Sequence, residues 1–202
     1  MLAGFLTPFA VPVKLILDTD MGGGPCQDVD DAGTLCMLNV LQDRGEVELQ
    51  AIMLDTLPPA GAGAISVLQH WFGRDSVPIG VMKPDASPNI VAHPYVDQLV
   101  HGWEAPIKSS VGLPRAVDLY RRILGGADDK SIAIASVGVL TNLEHLCADK
   151  CGVRTPTALT DCAPTNKCIA LYINQSVLHT VASTWRHTGS SHVPSFACVV
   201  ML

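Results

Sequence analysis

The 202-residue chain has no CxxC pair, no cluster of lysines and arginines, and no apolar run long enough to span a bilayer. Each absence removes a class of function. Without cysteines at metal spacing, the seven thiols (Cys26, Cys36, Cys147, Cys151, Cys162, Cys168 and Cys198) suit neither a disulfide framework nor an ordinary zinc site. They read instead as scattered reduced thiols of an intracellular protein. With 13 basic residues against 19 acids and a net charge of −6, no basic surface exists to neutralise phosphates, so nucleic acid is not an expected partner. A membrane is not expected either. The apolar start "MLAGFLTPFAVPV" lacks a basic flank and a clear cleavage site, which favours a cytoplasmic location over secretion. The glycines at 22–24 are not followed by Lys-Ser/Thr, as a phosphate loop requires. No serine lies in a G-x-S-x-G context, and no EF-hand order of acids is present.

What is present is a well-buried globular chain, 48% hydrophobic and only 16% charged. "VKLILDTD" reads as a strand buried on both faces, ending in acids. "DVDDAGTLCMLNVLQDRG" then reads as a helix capped by Asp28 or Asp30 and closed by Gly45. "VELQAIMLDT" is a second strand, "PAGAGAISVLQHWFG" a second helix and "SVPIGVMK" a third strand. "PRAVDLYRRILGGA" is an amphipathic helix, and "KSIAIASVGVLTNLEHL" a strand, turn and helix start. This rhythm predicts an α/β fold, doubly wound, with a mainly parallel sheet between two helical layers. Ligands in such sheets bind outside the carboxyl ends of the strands. The segment "PNIVAHPYVDQLVHGWEAPIKSS", holding His93, Tyr95, His101 and Trp103, reads as a surface linker. His70 and Trp71 read as packing residues. The rhythm fails after about residue 146, which divides the chain into an α/β domain at 1–146 and an atypical tail at 147–202, where "KCIALYI" is one candidate strand.

Five aspartates fall within fourteen positions of "KLILDTDMGGGPCQDVDDAGTL": Asp18, Asp20, Asp28, Asp30 and Asp31. Carboxylates so close repel one another unless a cation lies between them. Asp18 and Asp20 alternate onto one side of a strand, and Asp30 and Asp31 sit at a helix start, where the dipole favours negative charge. Ca²⁺ takes its oxygen ligands from such carboxylates and from backbone carbonyls.

The run "ILDTDMG…DVDDAGTL" resembles the N-terminal signature of the inosine/uridine-preferring nucleoside hydrolases, in the subgroup written DxD…DVDD. "GAISVLQHWFGRDSVPIGVMK", "YRRIL" and "SIAIASVGVLTNL" resemble later segments of that family in the same order, so the likeness spans roughly residues 13–146. The resemblance implies calcium-dependent hydrolysis of the N-glycosidic bond of ribonucleosides to free base and ribose. Asp20 would be the general base on the attacking water. Asp20, Asp31 and the backbone carbonyl of Val137 would hold Ca²⁺, Asp30 and Asp55 would bind ribose, and Asp18 and Asp28 would support the site. In many relatives an asparagine stands at the position of Asp55, and an ionised acid cannot donate the hydrogen bond an amide can.

The chain departs from the family in two places. The loop between Gly22 and Asp28 is longer, with "GGPCQ" inserted. No His-Asp pair follows residue 146, where the family takes a last calcium ligand, so the chain reads as truncated there and its activity as impaired. A truncated, open sheet would also favour a homo-oligomer. Two other readings remain: an inactive α/β binding module that keeps a partial calcium site, and a DxD phosphohydrolase with Asp18 as nucleophile.

Overall fold

The computed structural model describes residues 11–23, 30–82, 94–151 and 168–173. Ten elements follow in chain order: β1 (Val13–Thr19), α1 (Asp30–Asp43), β2 (Val47–Leu54), α2 (Pro59–Trp71), β3 (Ile79–Val81), α3 (Pro94–Gly102), α4 (Ala116–Gly126), β4 (Ile132–Ser136), α5 (Thr141–Cys151) and β5 (Cys168–Ile173). The strands form one sheet in the order β3-β2-β1-β4-β5, every pair parallel. The doubly wound α/β fold expected from the sequence is therefore the fold the chain adopts. The chain winds outward from β1 to β3, then returns to lay β4 against the other side of β1. That reversal between β1 and β4 is the switch point at which such sheets bind ligands.

Strand alternation divides the interior in two. Leu15, Leu17, Ile52 and Leu54 face α1, α2 and α3, packing on Leu35, Leu38, Ile65 and Val96. Ile16, Ala51, Met53, Ile132 and Ile134 face α4 and α5, packing on Val117, Leu119, Tyr120, Leu124, Leu143 and Leu146. Burying each such aliphatic side chain contributes about 1.5–3 kcal/mol. The same alternation sorts the polar residues at the end of β1: Thr19 falls on the α1 side and Asp18 on the α4/α5 side.

Gly45 ends α1 as the sequence predicts. Its φ of +73° is left-handed, Glu46 N–H reaches Leu41 O at 3.0 Å, and Gly45 N–H reaches Gln42 O at 3.0 Å. These are the two bonds of a Schellman cap. Between α1 and α2 the buried Asn39 donates to Gln69 Oε1 at 2.7 Å and accepts from Arg74, whose other amine pairs with Asp43.

Two readings are corrected, the linker and the packing of His70 and Trp71. The stretch read as a linker contains α3, which buries Val96 in the first core. Prolines at both ends hid the short apolar period of Tyr95, Val96, Leu99 and Val100. Trp71 does not pack inward: it is 71% exposed and meets Trp103 edge to face at 5.7 Å. His70 is likewise at the surface, paired with Asp75 at 2.9 Å. Beyond residue 146, α5 continues to Cys151, and "CIALYI" forms β5 on the outer side of β4. His93 lies outside the described residues, and no helix among the described residues is long and apolar enough to cross a membrane.

Candidate active site

Three strands deliver the site. β1 ends in Asp18 and Thr19, β2 is followed by Asp55, and β4 is followed by Val137 and Gly138. The register holds these ends level. Asp55 N–H donates to Thr19 O at 3.0 Å, and Val137 N–H donates to Asp18 O at 2.9 Å.

Asp18 is fully buried on the α4/α5 side. Its Oδ2 accepts from the Tyr120 hydroxyl at 2.7 Å and from Asn142 Nδ2 at 3.4 Å. A carboxylate enclosed in this way has no path to a substrate phosphate, which argues against Asp18 as a nucleophile. Burial raises its pKa to about 6, although the hydrogen bonds from Asp55, Tyr120 and Asn142 lower it.

Asp31, fully buried at the start of α1, turns back over the sheet. Its Oδ1 accepts from the Thr19 hydroxyl and, at 3.1 Å, from Asp20 N–H. Its Oδ2 is buried without a hydrogen-bond donor. Burial, followed by repulsion from Asp20, pushes this carboxyl up to about 8. Asp30 points elsewhere. It is exposed, and its Oδ1 accepts Asp31 N–H at 3.0 Å.

Asp55 is completely buried, and neither of its oxygens receives an N–H or a hydroxyl. Its close partner is the carboxyl of Asp18, and two carboxyls can bond only by sharing a proton. Burial first and the Asp18 charge second raise Asp55 well above the ordinary carboxylate range.

The expectation that Asp18 and Asp20 share a strand face needs correction. β1 stops at Thr19, and Asp20 begins the turn, its carbonyl accepting Gly23 N–H. What sets Asp20 opposite Asp55 is the close approach of Gly138. A Cβ built there would stand 2.5 Å from Asp20 N and 2.6 Å from Asp55 Oδ2. The turn after Asp20 is tied to α3, where the Tyr95 hydroxyl accepts Gly22 N–H at 3.1 Å.

The fold brings Asp18, Asp20, Asp31, Asp55 and Val137 to one lip of the sheet and leaves Asp30 at its exposed margin. Asp28 and residues 24–27 of the inserted loop lie outside the described residues. Sequence reasoning named none of Thr19, Tyr120, Gly138 and Asn142 as site residues.

Calcium fits the donor chemistry of this lip. Asp31 Oδ2 and both Asp55 oxygens are buried without donors, and among the described residues no lysine, arginine or histidine pairs with Asp18, Asp31 or Asp55. Asp20 and Asp31 are adjacent, as two ligands of one ion must be. Among the described residues, no three acid, histidine or cysteine side chains are arranged to hold one ion.

A pH dependence follows from the raised carboxyls. In the unfolded chain Asp31 ionises near 3.8, and in the fold near 8, so the native state binds more protons between these values. Stability therefore falls as pH rises through that window. Melting curves without divalent ions should show a lower Tm at pH 8 than at pH 5, and saturating Ca²⁺ should remove most of the difference. A Tm rising across that range would contradict the assignment.

No family model matches the sequence, and no curated protein matches it. Among solved structures, the chain is similar to a purine-preferring ribonucleoside hydrolase from Gardnerella vaginalis, with 18% identity and a TM-score of 0.48 over 79% of this chain and 47% of that one. The chain thus spans about half the length of that enzyme. A likeness at this level is no guide to chemistry, which rests on the residues themselves.

Proposed function

We propose that this protein is a nucleoside hydrolase that uses Ca²⁺ to split the N-glycosidic bond of ribonucleosides, releasing free base and ribose. The observation that carries the reading is the gathering of Asp18, Asp20, Asp31 and Asp55 at the switch point of the sheet. These are the acids of the DxD…DVDD signature and the acid that follows the second strand.

Cleavage of this bond passes through a sugar with oxocarbenium character. Carboxyls fixed around a dry lip stabilise that positive charge with little reorganisation. Asp20, half-buried at the rim, takes the proton of the attacking water. Asp55 and Asp30 bind the ribose hydroxyls, Asp30 from the open margin. Asp31, Asp20 and the Val137 carbonyl would hold the metal. Bound Ca²⁺ would acidify water and orient the sugar hydroxyls.

One observation favours a second reading, an inactive binding module with a partial calcium site: the absence of three converging ligands among the described residues. Base release separates the two. The protein with Ca²⁺ and inosine or uridine should liberate base and reducing sugar, and EDTA should stop the reaction. Calcium binding with no release above background would support the module instead.

A further inference from the structure

We infer that Tyr95 is a positioning residue for Asp20, holding from α3 the turn that carries this acid. The inference rests on the nucleoside-hydrolase reading and adds to it a residue outside the acidic lip.

After β1 the chain turns over Asp20–Gly23, where Gly23 N–H donates to Asp20 O. Gly22, third in the turn, has a φ of +77°, the left-handed value that a type II turn requires there. The third N–H of such a turn has no partner within it. Here it donates to the Tyr95 hydroxyl at 3.1 Å, and that hydroxyl donates onward to Met21 Sδ at 3.5 Å. One oxygen therefore grips both central residues of the turn. Val96, the next residue of α3, closes on the same place: a Cβ on Gly22 would stand 2.5 Å from Val96 Cγ1. From α2, a Cβ on Gly61 would stand 2.6 Å from Met21 O, so the turn is backed on that side as well. Phenylalanine at 95 would keep the ring, so it is the turn rather than the core that needs the hydroxyl. Asp20 heads this turn, with its N–H on Asp31 Oδ1 at 3.1 Å. A tilt of the turn would rotate the peptide after Asp20 and swing its carboxyl relative to Asp31. The Tyr95 hydroxyl opposes that tilt.

The test uses the full chain, Tyr95→Phe and a control, Leu124→Ala, which opens the core on the other side of the sheet. Tyr95→Phe should weaken Ca²⁺ binding to the metal-free protein about fivefold in calorimetric titration, the size of one lost hydrogen bond. At saturating Ca²⁺ it should lower kcat for inosine or uridine about fivefold, with KM changed by less than about twofold. Leu124→Ala should lower Tm by more than Tyr95→Phe does, yet leave Ca²⁺ affinity within about twofold of wild type. Unchanged Ca²⁺ affinity or unchanged kcat in Tyr95→Phe would overturn the inference, as would an equal loss of affinity in Leu124→Ala. If Tyr95→Phe does not fold, Val96→Ala removes the other contact from α3 to Gly22 and should weaken Ca²⁺ binding about threefold; an unchanged affinity overturns the proposal. If the wild-type protein binds Ca²⁺ but releases no base, the hydrolase reading fails and the affinities alone decide the inference. If it binds no Ca²⁺, amide hydrogen exchange decides. Tyr95→Phe should then speed exchange at Asp20, Gly22 and Gly23 about fivefold while leaving β2 unchanged, and wild-type exchange at Asp20 and Gly23 overturns the inference.

Discussion

Asp20→Ala should lower base release by about 10³-fold, the range lost with a general base, while leaving the metal-free protein as stable as before or slightly more so. The activity loss follows from the proposed role, in which Asp20 both takes the proton of water and holds the ion. The stability effect follows from burial and charge. Asp20 is half-buried and belongs to neither core, so truncation removes little apolar contact. Its charge raises the pKa of Asp31 and of Asp55, which means that it repels both. Removing it relieves that repulsion. Activity assays paired with melting curves separate this result from simple misfolding, in which Tm and rate would fall together. A variant that retains more than a tenth of the wild-type rate would remove Asp20 from the role of base.

Gly138→Ala should damage the fold and the site together. The added methyl would stand 2.5 Å from Asp20 N and 2.6 Å from Asp55 Oδ2. The first neighbour is backbone, which cannot swing aside as a long side chain can. The turn after β4 must therefore retreat from β1, at a cost of about 1–3 kcal/mol. The retreat also pulls Val137 from Asp18, whose backbone bond at 2.9 Å keeps the strand ends level. The expected result is a Tm lower by several degrees together with weaker Ca²⁺ binding. Gly126→Ala provides a control, since a Cβ there meets nothing within 4 Å. A Gly138→Ala protein with unchanged melting and calcium affinity would mean that the close approach has no role.

The fold was legible because the two periods were clean. The apolar run of β1 and the helical spacing of Leu35 and Leu38 leave little choice of element, and β1 and β2 each end where an aspartate, Asp20 or Asp55, begins. α3 was missed because Pro94 opens it and Pro88 and Pro106 flank it, a pattern that also describes a loop. Trp71 was misplaced because a helix wheel does not tell a core face from an outer one near its last turn.

At the site, the acids were visible as a cluster, but their division of labour was not. Asp30 and Asp31 are neighbours in sequence, yet one faces solvent and the other is fully buried. The helix start that separates them depends on which carboxyl the Thr19 hydroxyl reaches. Tyr120 lies 102 positions from Asp18, and the apolar period of α4 presents it as one more core residue. Gly138 matters for what its missing Cβ would strike, and that depends on tertiary contact alone.

Calorimetric titration of the metal-free protein with Ca²⁺ at pH 7, in buffers of different ionisation enthalpy, tests the central claim most directly. If Asp20 and Asp31 grip the ion, binding must displace the proton that Asp31 holds at this pH. The account predicts one ion bound per chain with proton release, and at least about tenfold weaker binding in Asp31→Asn. No binding, or binding that Asp31→Asn leaves unchanged, would contradict it.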